Sequence, residues 1–402
     1  MIAEKVIHVG EFRTTEKIRK YILEILDSGR ISEFINVNNF EKKWAEYIGT
    51  SYSIAVNSGT SALIAGLEAI KNKYPNRANK KIITTPLTYI ATINAIVLTG
   101  FSPVFVDIDT NNFGLLPQAV EMYLEHVEDP QEYSIIIPVH LLGYPVEMDK
   151  INKIADKFGL LTLEDSAQAH GTKYKGQKVG TFSLISTFSF YIAHNIQAGQ
   201  LGAINTNDKE IAKLVRQIKS NGRSCACDIC LRSQGKCPNR YADFDPRFTH
   251  DVFGYNFKPM EFQAAIGLAQ LDDVNDIIKK RQKNVKILND HLSIFSNILK
   301  LPKFSEDVSY LAYPLILKDH KISINNLKHN LEKEGIETRP LFSFIPHQLS
   351  YKYLKSEYEG KLINAEYVHK NSFYIGCHQY LEEDDLEYIY TKFKKILYSM
   401  VK

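Results

Sequence analysis

The chain has 402 residues, 44% of them hydrophobic and 24% charged, with 49 Lys+Arg against 46 Asp+Glu for a formal charge of +3. That is a globular composition with chain enough for two or three domains, and it excludes a disulfide-stapled miniprotein. Basic residues interleave with acidic ones, so no stretch reads as a nucleic-acid footprint, and no apolar run approaches the ~18 residues of a membrane span. Charges within Met1–His8 stand where a signal peptide needs its apolar core, which predicts a cytoplasmic protein with reduced cysteines.

In chain order, helical periodicity is expected over Thr14–Leu26 and Ser61–Ile70, and β-branched runs predict strands at Lys81–Thr85, Pro103–Asp107, Ser134–Val139 and Leu160–Glu164 with helices between them. Such alternation predicts an α/β fold with a parallel sheet covered on both faces. Two further strands are expected at Leu184–Phe190 and Leu201–Asn205. A long helical stretch from Pro259 to about Leu292 follows, then a strand near Leu311–Leu317 and helices near Ile324–Glu334 and Glu382–Leu397. The expected division is a large domain over residues 1–275 and a smaller α+β domain over 276–402. The segment 221–251 has neither period, holds four of the five cysteines, and is far longer than the usual connection of about 4–6 residues.

Several side chains carry chemistry. Asn57–Leu63 brings Gly59, Thr60 and Ser61 to a helix N-terminus, whose free N–H groups and dipole attract phosphate, although an ordinary N-cap has the same composition. Asp165 lies at the C-terminal end of a predicted strand, where open α/β sheets bind ligands; it suits a cationic ring nitrogen or is a solvated strand end. His140 and His170 fall at strand ends facing the same site, as substrate contacts or structural histidines. Arg339 offers a fork for a diphosphate or for a surface carboxylate, and His347 follows it. Cys225, Cys227, Cys230 and Cys237, spaced C-x-C-x2-C-x6-C, suit a [2Fe–2S] cluster or zinc, or hold no metal. Cys377 stands apart as a buried or incidental thiol.

Together these motifs make the chain resemble the fold-type I, pyridoxal-phosphate-dependent sugar aminotransferases of the DegT/DnrJ/EryC1/StrS group. The likeness rests on Asn57–Leu63, Thr85–Thr92, Glu164–Gly171, Phe188–Phe190, Gly254–Asn256, Gln263–Gly267 and Thr338–Phe342, all in the group's order. It implies an aspartate-aminotransferase-like large domain that binds the cofactor on a mostly parallel central sheet, with a smaller C-terminal α+β domain. It also implies that Gly59, Thr60, Ser61 and Ser189 hold the cofactor phosphate, Tyr89 stacks on its ring, Asp165 binds the ring nitrogen and Gln168 sits near its hydroxyl. A homodimer with shared sites is implied, Asn256 reaching into the neighbour's.

One departure is informative. Five residues after Ser189, where aminotransferases of the group carry the lysine that binds the cofactor covalently, this chain has His194. An imidazole cannot form that link, but it exchanges protons near neutral pH. His194 with a later Cys-bearing loop resembles the nucleotide-sugar 3-dehydratase branch, which uses pyridoxamine phosphate on nucleotide-linked 4-keto-6-deoxyhexoses in dideoxysugar and O-antigen-type pathways. The resemblance assigns His194 as the base and Asp165 as the partner of the ring. In one part of that branch a [2Fe–2S] cluster takes electrons from a partner reductase; in another, glutamate recharges the cofactor without a cluster. The Cys spacing departs from the cluster-bearing pattern, so iron–sulfur, zinc and no metal stay open. A sugar aminotransferase with an unusual base and a non-catalytic cofactor-binding regulator are the alternatives.

Overall fold

Lys81–Thr84 and Tyr133–Ile137 are apolar along both sides of the chain, and both are buried nearly end to end, as strands of a sheet covered on both faces must be. The structure, a computed structural model, describes residues 5–227, 229, 235–237, 243–319 and 321–401. The chain opens with α1 (Glu16–Ser28), α2 (Ile35–Ile48), β1 (Tyr52–Val56), α3 (Gly59–Lys73), β2 (Lys81–Thr84), β3 (Leu87–Thr88), α4 (Ile90–Leu98) and β4 (Ser102–Phe105). It continues through α5 (Pro117–His126), β5 (Tyr133–Ile137), α6 (Met148–Phe158), β6 (Leu161–Asp165), the hairpin β7 (Lys173–Tyr174) and β8 (Gln177–Lys178), β9 (Ile185–Ser189), β10 (Gly202–Thr206) and α7 (Lys209–Ile218). After α8 (Glu261–Leu271) and α9 (Val274–Leu292) come β11 (Leu299–Lys300), β12 (Tyr313–Leu317), α10 (Ile324–Lys333), β13 (Arg339–Pro340), β14 (Ser343–Phe344), α11 (Lys355–Tyr358), α12 (Ile363–Asn371), β15 (Ser372–Ile375) and α13 (Glu383–Val401).

Seven strands form the large sheet in the order β1-β10-β9-β6-β5-β2-β4. β10 is antiparallel to both its neighbours and every other pair is parallel, so six strands point one way and their C-terminal ends share one edge. The sheet is thus mostly parallel, with one reversed strand. Alternate residues serve opposite faces, as the pleat requires. Ile54, Val56, Ile82, Ile135 and Ile137 pack with α3, whereas Ile83 and Ile136 pack with Val120, Leu124 and Ile151 of α5 and α6. Ala55, Phe188 and Ala203 meet Phe40 and Trp44 of α2 and Ala264 and Leu268 of α8. Trp44 is fully buried, with the rings of Phe188 and Phe190 edge-on at 5.0 and 4.9 Å. Truncating such a residue to alanine costs about 3–5 kcal/mol.

A second, four-stranded antiparallel sheet, β11-β12-β15-β13, lies in the C-terminal part. β14 leaves it to pair with β3, joining Ser343 to Thr88 and Phe344 to Leu87. The helical stretch expected from Pro259 to Leu292 is two helices. They break at Asp272 and Asp273, residues that favour helix ends, and Asp272 is held there by Lys17 and Lys43. The ends of the 221–251 segment are drawn together: Ser224 N–H donates to the Thr249 carbonyl and Asp251 N–H to that of Gly222, both at 2.9 Å. Among the described residues no helix is long and apolar enough to cross a membrane.

Candidate active site

The shared C-terminal edge gathers the ends of β1, β6 and β9 and the start of β10; in register, Ser189 lies opposite Gly202 and Asp165 opposite Thr187. Asp165 is buried. Its Oδ2 accepts from Thr92 Oγ1 at 2.8 Å and its Oδ1 from Ala167 N–H at 3.2 Å. Burial pushes its carboxyl up, against the pull of those two donors, so the anion gains most from a cationic partner. Thr92, part of a motif but not singled out for itself, belongs to this constellation. Its signal was its spacing from Thr88, one helical turn away, whose Oγ1 it meets at 3.1 Å.

His140, expected as a substrate contact or a structural histidine, is placed as the second by its burial and bonding. It has no exposed surface, its Nε2 bonds Glu164 Oε2 at 3.0 Å, and its Nδ1 accepts from Val146 N–H at 3.1 Å. Both ring nitrogens are taken, so it supports the sheet edge beneath the site. Glu164 also accepts from Gly180 N–H at 2.7 Å and Phe182 N–H at 2.9 Å, tying the loop before β9 to the strand bearing Asp165. Gln168 Oε1 accepts from Leu142 N–H at 2.7 Å. Leu142 has φ 55°, a left-handed conformation that costs a side-chain-bearing residue roughly 1–2 kcal/mol. Gln168 therefore spends its oxygen on a strained turn and keeps its NH2 for other partners.

β1 runs into α3 through Asn57 and Ser58, and Ser58 caps the helix by accepting from Ser61 N–H at 3.1 Å. The Ser61 hydroxyl donates to Asn57 Oδ1 at 2.6 Å, so Ser61 completes the cap rather than presenting a free group. Gly59 and Thr60 keep backbone N–H groups without a partner among the described residues. A Cβ on Gly59 would lie 2.6 Å from Ser189 Cβ, and one on Gly202 would lie 2.2 Å from the Ser58 carbonyl. Two glycines thus let the helix N-terminus settle beside the Ser189 hydroxyl, a cradle that fits a phosphate in charge and geometry. Tyr89, at the start of α4, is 60% exposed.

Beyond β9 the chain turns without secondary structure through Tyr191–Ala193 to His194. His194 is half-buried, and its Nδ1 lies 3.3 Å from the Tyr191 carbonyl. A carbonyl only accepts, so Nδ1 carries the proton and Nε2 keeps its lone pair. Burial pulls the imidazole down to about 4, and the Arg281 charge acts the same way, so it is neutral at pH 7. His170 lies alongside, ring centroids 6.0 Å apart. His170 is fully buried, accepts from Ile196 N–H at 3.3 Å, and is held well below the usual histidine range by burial; it is a structural histidine. The loop is pinned by Asn195 Nδ2 to the Ser309 carbonyl at 2.7 Å and by two bonds joining Gln197 and Gln270.

The remaining candidates lie around this centre. Arg339 is exposed and paired with Glu337 (Nη2 to Oε1, 2.5 Å), with electrostatic influence from Tyr191. His347 is exposed on the turn after β14, its ring 4.8 Å from that of Phe344. Asn256 is exposed, its carbonyl 3.5 Å from Asn57 Nδ2. Cys225 and Cys237 are half-buried and Cys227 is exposed, Cys230 lies outside the described residues, and no three His, Cys, Asp or Glu side chains converge among the described ones. Cys377 is fully buried, its thiol pushed up to about 11.

The DegT/DnrJ/EryC1/StrS aminotransferase family pattern matches residues 13–394. The chain is 32% identical over 372 residues to the lipopolysaccharide biosynthesis protein RfbH of Salmonella typhimurium, spanning 89% of this chain and 84% of that one. It is 34% identical to a GDP-perosamine synthase of Escherichia coli O157:H7, over 84% of this chain and 85% of that one. The crystal structure of the E. coli GDP-4-keto-6-deoxy-D-mannose 3-dehydratase with bound hydrated PLP superposes with a TM-score of 0.84 at 26% identity, covering 98% of this chain and all of that one. The chain belongs to the DegT/DnrJ/EryC1/StrS aminotransferase family, and its fold is the aspartate-aminotransferase-like fold type I that the motifs predict.

Proposed function

We propose that this family member is a pyridoxamine-phosphate-dependent 3-dehydratase of a nucleotide-linked 4-keto-6-deoxyhexose. The observation that carries it is His194 itself, an imidazole whose Nδ1 lies 3.3 Å from the Tyr191 carbonyl, in the loop where the family resemblance puts the lysine of covalent aminotransferases. When bound, the cofactor supplies an amine able to join a ketone and a cationic ring able to take up electrons. The residues present fit it. Gly59 and Thr60 N–H groups and the Ser189 hydroxyl hold the phosphate, Tyr89 offers its ring face, Gln168 its amide, and Asp165 sustains a positive charge on the ring nitrogen. His194 Nε2 takes up a proton and returns one to the departing C3 hydroxyl. Arg339 and His347, on the C-terminal side, suit the diphosphate.

The domain boundary near residue 275, a homodimer in which Asn256 completes the partner's phosphate site, and a cytoplasmic location belong to the same proposal. The thiol loop distinguishes two cycles. About two iron and two sulfide per chain in anaerobic protein would assign it to a [2Fe–2S] cluster fed by a reductase, whereas full turnover with glutamate alone would assign it to the cluster-free cycle. The second reading is a sugar aminotransferase, which the 34% identity to a perosamine synthase favours. Borohydride treatment of protein loaded with pyridoxal phosphate separates the two. A dehydratase leaves no cofactor on any peptide and makes the 3-deoxy product; cofactor reduced onto a lysine would overturn the proposal.

A further inference from the structure

Two donors reach the buried Asp165 carboxylate, Thr92 Oγ1 at 2.8 Å on Oδ2 and Ala167 N–H at 3.2 Å on Oδ1. Among the described residues Thr92 is the one side chain that donates to it. Thr92, on α4, is itself buried, and Thr88 Oγ1 lies 3.1 Å from its hydroxyl. A hydroxyl has one proton to give. Thr92 gives its proton to the carboxylate, so Thr88 is the donor between the two threonines, and the chain of bonds runs from Thr88 through Thr92 to Asp165. Its far end is fixed by backbone pairing, since Thr88 of β3 lies opposite Ser343 of β14. Around the carboxylate, Thr88, Thr92 and, opposite in the sheet, Thr187 carry no charge, and the neighbouring His140 is taken up by Glu164 and Val146. Donors of this kind favour the anion over the acid, whereas burial without them favours the acid.

We propose that Thr92 is a positioning residue for Asp165, its hydroxyl holding the carboxylate as an anion so that the proton shared with the cofactor's ring nitrogen stays on the nitrogen. The inference rests on the reading of Asp165 as the partner of that nitrogen, and it holds for dehydration and amino transfer alike. Sheet register puts Asp165 at the edge; Thr92 decides which of the two groups keeps the proton. A buried carboxylate stripped of this donor is a stronger base, and it competes for the proton that makes the ring cationic. Burial pushes the Asp165 carboxyl up, and the Thr92 bond is the first pull against it, ahead of the Ala167 N–H and of His140. Valine has nearly the shape of threonine and no proton to give, so Thr92→Val removes the bond and little else.

The test is the nitrogen-15 spectrum of pyridoxamine phosphate labelled at its ring nitrogen and bound to the full chain at neutral pH. In wild type the nitrogen is expected protonated, and in Asp165→Asn unprotonated. Thr92→Val should move the proton equilibrium about tenfold toward the carboxylate, the scale of one hydrogen bond to a charged group, and so carry the nitrogen signal toward the unprotonated position with the cofactor still bound. Thr92→Ser, which keeps the hydroxyl, should restore the wild-type signal. Thr92→Ala also lacks the hydroxyl and gives the same reading should the valine variant not fold. A hydroxyl of merely structural value would lower the melting temperature and leave the nitrogen signal where it was. A signal unchanged from wild type in the variants without the hydroxyl would overturn the inference and leave Asp165 as the ring's partner. An unprotonated nitrogen in wild type, or a protonated one in Asp165→Asn, would instead overturn the reading of Asp165 itself.

Discussion

Asp165 is buried and His194 half-buried, and the two titratable groups are held in opposite ways. Asp165 stands on a strand: its N–H donates to the Pro138 carbonyl, its own carbonyl accepts from His140 N–H, and sheet register decides where its carboxylate points. His194 has no strand under it. Its loop is held by Asn195, Gln197 and His170, reaching to Ser309, Gln270 and Ile196. A charge on a strand end inherits its position from the backbone ladder, whereas a base on a loop depends on side chains supplied from elsewhere. The position of the first should tolerate changes around it and that of the second should not.

The largest expected effect falls on the loop side. His194→Asn should lower dehydration by about 10²–10⁴-fold, the usual contribution of a positioned acid–base group, while the cofactor spectrum shows binding intact. Turnover near wild type would erase the contrast by making His194 a mere loop residue. Asp165→Asn should lower turnover about a hundredfold or more, because preorganised charge at a reacting centre is worth a few kcal/mol. Its melting temperature should stay near wild type, since burial already penalises the anion. A large fall in melting temperature would instead make the carboxylate a structural group.

Gly59→Ala tests the cradle between the two. With its Cβ forced to 2.6 Å from that of Ser189, about 1–3 kcal/mol of overpacking is expected, with faster loss of cofactor on dialysis. Retention equal to wild type would mean the helix start is looser than its packing implies. The smallest effect is on acid stability. His194 and His378 are drawn down to about 4 and His170 lies well below its ordinary value, chiefly through burial. As pH falls from about 6.5 toward about 4 the unfolded chain binds protons that the folded one does not, so stability should fall in that window. Urea midpoints measured across it should drop less steeply in His194→Asn; equal slopes would remove His194 from the set of histidines held neutral.

What the sequence determined by itself is what acts locally. β-branched runs of four or five residues and a glycine at a helix start follow from residues near one another in the chain, and the imidazole in place of a lysine follows from the family resemblance. The strands of the sheet and a helix start near Gly59 were legible for that reason, whereas the grouping of Gly59, Asp165 and Ser189 was expected only from the family resemblance. Other features were decided only by the tertiary structure. α2 has no side-chain cap of its own; Glu261, far along the chain, accepts from the N–H groups of Phe34, Asn36 and Val37. His140, at a strand end, was open between a substrate contact and a structural histidine, and a buried carboxylate from the next strand decided for the second. Arg281 was not singled out in the sequence, and the structure buries it with carbonyl and amide oxygens as its hydrogen-bond acceptors. Burial and pairing are relations between distant segments, and the free energy of a charge depends on both, so no local pattern could state what these side chains do.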